Sequence, residues 1–203
     1  IVDEQNLRLV YMPSRYFASE PKADITLILR NPKAMDSARN QVMFALNDYL
    51  AGIALDQLSN QAAVGGISFS TGANNGLMLN ANGYTQRLPQ LFDALLQGYF
   101  SYTPTEEQLE QAKSWYLQMM DSADKGKAYE QAIMPVQMLS QVPYFQREDR
   151  KALLPSITLK EVMDYRDRLK TGARPEFMVI GNLSAEQSTT LARNVQTQLG
   201  ANG

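Results

Sequence analysis

The stretch GGISFSTGANNGLMLNANG, residues 65–83, holds the reading on which the fold turns. The pair Gly65-Gly66 ends whatever helix precedes it, because glycine takes the left-handed conformation of a helix terminus without steric cost. Ile67, Phe69 and Thr71 then alternate with Ser68 and Ser70, the period-two pattern of a strand with one face on a core. Leu77, Leu79, Ala81 and Gly83 alternate in the same way. Between the two runs, Gly72-Ala73-Asn74-Asn75-Gly76 is turn chemistry, so the runs form a hairpin.

On the N-terminal side of the hairpin, Asp36 or Ser37 is a natural N-cap. Val42, Leu46, Tyr49, Leu50 and Ile53 follow at helical spacing and give one apolar face. Gly52 weakens or bends that helix, and a second helical stretch carries Leu55, Leu58 and Ala62. Earlier still, Leu7 to Tyr11 alternates and meets Pro13, as a strand would. Asp24 to Leu29 is apolar on both sides, with Ile25, Leu27 and Leu29 opposite Ile28, which predicts a central strand covered on both faces.

On the C-terminal side, a helix from about Leu88 carries Leu91, Phe92, Leu95, Leu96 and Tyr99 on one face. Thr105 with Gln108, Thr158 with Glu161 and Ser184 with Gln187 are capping boxes, each opening a helix. Residues 121–155 are helical in pattern but broken by Gly126, Pro135, Pro143 and Pro155. Phe177 to Ile180 reads as a buried strand after Pro175. Strands and helices do not alternate strictly, so the class is an α+β sandwich and not a doubly wound sheet.

Composition narrows the chemistry. With 203 residues and 44% hydrophobic content, the chain can bury a core of one domain. A net charge of −2 and the lack of a basic stripe exclude a nucleic-acid partner. No apolar run reaches the roughly 20 residues that span a bilayer. The chain opens at Ile1, in what reads as the approach to a strand, and is expected to be a piece of a longer polypeptide. It contains no cysteine, so disulfides and thiolate metal sites are excluded. It also contains no histidine, the usual general base near neutral pH and the commonest transition-metal ligand.

The remaining motifs favour structural readings. Gly66 and Gly72 are spaced wrongly for a phosphate loop, and no Lys follows. Asp121 starts a run like a calcium loop, but Ala123, Lys125 and Ala132 stand where oxygen ligands are needed. Glu106 and Glu107 diverge on a helix and complement its dipole, so they are not a catalytic pair. Asn182-Leu183-Ser184 matches a glycosylation sequon, yet Ser184 is better explained as an N-cap. Ser68, Ser70 and Thr71 have no histidine to activate them, and none has a lysine three residues on.

Several stretches, Ala51 to Leu58, Gly65 to Ser70, Leu77 to Tyr84 and Val179 to Leu183, together with the segment order, resemble one domain of the pitrilysin and insulin-degrading-enzyme family of zinc peptidases. The resemblance covers essentially the whole chain. It implies a two-layer sandwich, a mostly antiparallel sheet packed on helices. Active domains of that family carry His-x-x-Glu-His on their first long helix, where two imidazoles and a later Glu hold zinc and the intervening Glu is the general base. Here that helix reads Ala38-Arg39-Asn40-Gln41-Val42-Met43-Phe44-Ala45-Leu46-Asn47-Asp48, and no motif residue is present.

The resemblance therefore implies that residues 1–203 are a single non-catalytic domain, the third of four, in a periplasmic zinc endopeptidase that degrades small proteins and peptides. The piece itself is expected to be inactive, with no catalytic, cofactor or metal residues. The zinc belongs to the parent's N-terminal domain, and the partners are the parent's other domains and peptide substrates. The expected role is chamber wall and closure surface. In active domains the strand after the Gly pair accepts a peptide as an added strand. The matching residues here, Ile67, Ser68, Phe69, Ser70 and Thr71, are the expected substrate-wall strand. Two other readings stand beside this one. The chain could be a purely structural subunit, like the core proteins of respiratory complexes that share the fold, or a hydrolase using paired carboxylates, which no spacing brings together.

Overall fold

The described strands form one mixed sheet. The computed structural model describes residues 2–16, 18–124 and 144–200. The strands are β1 Val2–Glu4, β2 Leu7–Pro13, β3 Lys22–Arg30, β4 Ile67–Ala73, β5 Gly76–Tyr84 and β6 Arg174–Gly181, in the sheet order β1-β2-β6-β3-β5-β4. The described helices are α1 Ala38–Val64, α2 Leu88–Ser101, α3 Glu106–Asp124, α4 Arg147–Leu153, α5 Leu159–Lys170 and α6 Ala185–Gln198. Every strand pair is antiparallel except β2 with β6, which is parallel. The expected α+β class and mostly antiparallel sheet are what is observed.

The chain divides into two compact units. The first, Ile1–Pro32, Ala51–Tyr102 and Asp167–Gly203, holds the sheet. One face of the sheet is core: Leu7, Leu9, Ile25, Leu27, Leu29, Leu77, Leu79, Phe177 and Val179 are all buried. Helices α2 and α6 pack on it through Phe92, Leu95, Leu96, Tyr99, Leu191 and Val195. Phe92 and Phe177 meet with ring centroids 6.2 Å apart. Each such side chain taken out of water contributes about 1.5–3 kcal/mol.

The second unit, Lys33–Leu50 and Thr103–Arg166, is helical. Ser37 caps α1, its hydroxyl accepting from the Asn40 amide at 3.1 Å. The Thr105–Gln108 box closes reciprocally at 3.2 and 2.9 Å, and the Thr158–Glu161 box at 3.3 and 3.0 Å. Glu161 also receives Arg39 at 2.6 Å. The Thr158 amide, and then the Arg39 guanidinium, hold the Glu161 carboxyl below its ordinary range. Tyr49 stacks on Trp115 at 4.8 Å, and the Tyr165 hydroxyl donates to the Ala34 carbonyl at 2.6 Å. Of the predicted broken helical region, residues 125–143 lie outside the described residues. Pro155 sits in a short 3-10 turn, Leu154–Ser156.

Several expectations are corrected. Strand β3 is central, but only one of its faces is buried; Asp24, Thr26, Ile28 and Arg30 on the other are half-exposed. Strand β6, read as buried, is likewise one-sided, with Met178 and Ile180 exposed. In both cases helices cover a single face of the sheet. Lastly, α1 runs unbroken for 27 residues through Gly52. One glycine in a helix interior costs about 1 kcal/mol, less than burial of Leu50, Ala51 and Leu55 on either side returns. Ile53, assigned to the apolar face, is exposed.

At the hairpin, the five-residue turn expected from sequence is shorter, since Ala73 already pairs with Leu77. Asn75 takes φ +47° and Gly76 φ +139°. A Cβ on Gly76 would lie 1.9 Å from the Leu29 carbonyl oxygen, so strain and collision coincide. Gly172 also has positive φ but faces open space. Gly76→Ala is therefore expected to destabilise by roughly 2–3 kcal/mol and Gly172→Ala by about 1 kcal/mol, read as shifts in urea midpoint. Equal shifts would contradict the packing at Gly76.

Candidate functional site

Because directly paired residues in a sheet point to the same face, the strand registers map the open face row by row. Met12, Ile180, Asp24, Asn82 and Ser68 form one row. Val10, Met178, Thr26, Asn80 and Ser70 form the next, and Arg8, Glu176, Ile28, Met78 and Gly72 the third.

The first two rows have two chemistries. On β2 and β6, Val10, Met12, Met178 and Ile180 are 37%, 54%, 41% and 37% exposed and make one contiguous apolar block. On β3, β5 and β4 the same rows are amide and hydroxyl. Asn80 Nδ2 donates to Asp24 Oδ1 and to Thr26 Oγ1, both at 2.9 Å. Asn82 Nδ2 donates to Asn80 Oδ1 at 3.3 Å, and Ser68 Oγ donates to Asn82 Oδ1 at 3.0 Å. The Thr26 hydroxyl donates to Asp24 Oδ1 at 3.1 Å. Both ladder bonds to the Asp24 carboxylate fall on the one oxygen, Oδ1.

Charge lies at the margins. Arg30 Nε meets Glu176 at 2.9 Å, and Arg174 meets Asp3 at 2.8 Å. At the opposite end, a shallow hollow of about 390 Å³ is lined by Glu20, Lys22, Asp24, Asn82 and Ile180 among others. The Lys22 ammonium lies 5.4 Å from the Tyr84 ring centroid, a cation–π distance.

The five residues singled out from sequence lie together on β4, the terminal strand of the sheet. It pairs with β5 on one side, and no described strand pairs with its other side. The five do not share a face. Ser68 and Ser70 are exposed on the open face, whereas Ile67, Phe69 and Thr71 turn to the helix-covered face, Ile67 buried and the others half-buried. Sequence reasoning missed the apolar block. Its signal was available in Asp24, Thr26 and Arg30, whose polarity marks the opposite face of the sheet as uncovered.

Along the first part of α1, Val42, Met43, Phe44, Leu46 and Asn47 are buried. Among the described residues, no group of three or more His, Cys, Asp or Glu side chains is placed to hold a metal ion. Burial pushes the Asp93 carboxyl on α2 above its ordinary range, against a hydrogen bond from Gln198. No described helix is long and apolar enough to cross a membrane.

Over residues 1–152 the chain matches the family model described as the middle or third domain of peptidase M16. The chain belongs to the peptidase M16 family. It is 83% identical over 203 residues to Protease 3 of Shigella flexneri, covering all of this chain and 21% of that protein. This M16 chain thus spans about a fifth of the length of the curated relatives it matches. Its structure superposes on the crystal structure of pitrilysin with a TM-score of 0.97, at 83% identity, covering 100% of this chain and 22% of that one. A peptidase M16 inactive domain from Pseudomonas fluorescens shares the fold at a TM-score of 0.65 and 14% identity, over 93% of this chain and 47% of that one.

The ladder makes a stability prediction. Asn80→Ala removes both donors that Asn80 gives to half-buried Asp24 and Thr26, and is expected to cost about 1–2 kcal/mol. Ser68→Ala, at the exposed end, is expected to cost less than about 0.5 kcal/mol. Chemical denaturation of the two variants checks this, and equal losses would count against the network.

Proposed function

We propose that this chain is the third, non-catalytic domain of a four-domain periplasmic zinc endopeptidase that degrades small proteins and peptides, and that it supplies chamber wall and closure surface. Three findings support the reading. The family model is that of a middle or third domain. The relatives named Protease 3 are about five times longer than the matching region. The helix that the resemblance equates with the zinc-binding one lacks His-x-x-Glu-His.

The observation that carries the wall assignment is the open sheet face. Helices bury one side of the sheet and leave the other with an apolar block beside a ladder of amides and hydroxyls. A peptide substrate presents both kinds of group. Apolar side chains fit the block of Val10, Met12, Met178 and Ile180, and peptide amides fit Asn80, Asn82, Ser68 and Ser70. Strand β4 adds a free edge on which an extended peptide can pair as a further strand. The zinc and its general base lie in the parent's N-terminal domain, and the partners of this chain are the other domains and the peptide. Neither nucleic acid nor a membrane is a partner in this scheme.

The test is the double substitution Met12→Lys with Met178→Lys in the intact protease. Loss of two apolar contacts is expected to raise KM for a peptide substrate by roughly tenfold, equivalent to about 1.4 kcal/mol, with kcat little changed. Lys160→Ala, which removes an exposed pair with Asp164 on α5, is expected to leave both constants alone. Unchanged KM in a folded double variant would leave the face a purely structural role.

A further inference from the structure

The sequence Asn-Gly occurs at 75–76, 82–83 and 202–203, and the structure describes the first two. They share a dipeptide and a hairpin but not an environment. Asn75 is exposed at the tip of the β4–β5 turn, in the left-handed conformation at φ +47°. Its carboxamide makes no hydrogen bond among the described residues, although its carbonyl accepts from the Asn31 amide at 3.3 Å. Asn82 lies inside β5, paired with Asp24 on one side and Ser68 on the other. Its carboxamide is held at both atoms, donating to Asn80 Oδ1 at 3.3 Å and accepting from Ser68 at 3.0 Å.

We infer that Asn75 is a site of spontaneous deamidation, and that Asn82, with the same following residue, is protected by the sheet. The amide nitrogen of Gly76, on losing its proton, attacks Asn75 Cγ. The N–Cγ bond forms, the Cγ–Nδ2 bond breaks, and ammonia leaves with a proton taken from water, giving a five-membered succinimide. Glycine after the asparagine is what makes this attack feasible, since no side chain shields the nitrogen. Water then opens the ring. Attack at the side-chain carbonyl gives aspartate, and attack at the main-chain carbonyl gives isoaspartate, in which the backbone runs through Cβ and Cγ. No oxidant or reductant takes part.

Ring closure at Asn82 is opposed twice. An extended strand keeps the side-chain carbonyl away from the next amide nitrogen, and the carboxamide must first leave both hydrogen bonds. That step requires local opening of the sheet, whereas the Asn75 carboxamide has no hydrogen bond among the described residues to leave. Opening that costs as little as about 1.4 kcal/mol slows Asn82 roughly tenfold.

The product has structural consequences. Isoaspartate lengthens the main chain at the turn that fixes the Ala73–Leu77 register, and it places a carboxylate near Arg30, whose Nη1 donates to the Asn74 carbonyl at 3.2 Å. Deamidation thus acts on the anchoring of the edge strand β4 from its turn end.

The experiment is timed incubation of the folded protein at mildly alkaline pH, followed by peptide mapping for the mass gain of NH-to-O exchange and for isoaspartate. The same protein in denaturant is the control. The expected result is conversion at Asn75 at least about tenfold faster than at Asn82 when folded, with the two rates converging in denaturant. Asn75→Gly, which retains the left-handed turn, is expected to abolish the fast product. Equal rates at both positions in the folded protein would overturn the inference. So would a folded Asn75 that stays intact while the denatured chain converts.

Discussion

The position of β6 is the constraint on which the rest of the sheet depends. It is the last strand in sequence and sits between β2 and β3. Without it, the β1–β2 pair would share no strand pairing with β3, β5 and β4 among the described residues. Its parallel pairing with β2 and antiparallel pairing with β3 each run over most of its length. Long-range contacts then fasten its C-terminal end: the Asn182 amide donates to the Lys22 carbonyl at 2.9 Å, and the Tyr11 hydroxyl to the Leu183 carbonyl at 2.9 Å. These contacts join residues more than 150 positions apart in the chain. The loop-closure entropy is overcome only once Phe177 and Val179 are buried against α2 and α6.

Placing β6 at the centre also decides what the open face carries. Its pleat sends Phe177 and Val179 inward, so Met178 and Ile180 must point out, beside Val10 and Met12 of β2. A contiguous apolar surface is thereby built into the middle of the sheet and not at its rim. On the other half of the face, an asparagine–threonine–serine ladder satisfies its own hydrogen bonds and keeps groups available to a ligand. A surface with these two halves suits a wall against which varied peptides rest, because neither half demands one side chain at one place.

Much of the fold was legible in the sequence. The three capping boxes, the Gly65-Gly66 stop and the β4–β5 hairpin depend on local chemistry and occur where that chemistry is written. Continuity of α1 through Gly52 was not legible, since tertiary burial outweighed a local preference. The one-sided burial of β3 and β6 was misread because Ile28, Met178 and Ile180 look like core residues, and only the sheet order reveals that helices lie on one side. The β1 strand is three residues long and has too little pattern to be read. Of the candidate site, sequence placed the edge strand but missed the apolar block, whose members come from two strands 168 residues apart and meet only through register.

In the proposed function, the chain supports peptide hydrolysis without performing it. The most direct measurement is cleavage of a quenched peptide with added zinc, first by this chain alone and then by its mixture with a purified zinc-bearing N-terminal half of an M16 protease. The expected result is no cleavage by the chain alone and a higher rate for the mixture than for the zinc-bearing half by itself. Chelator-sensitive cleavage by the chain alone, in a preparation free of other proteases, would contradict it.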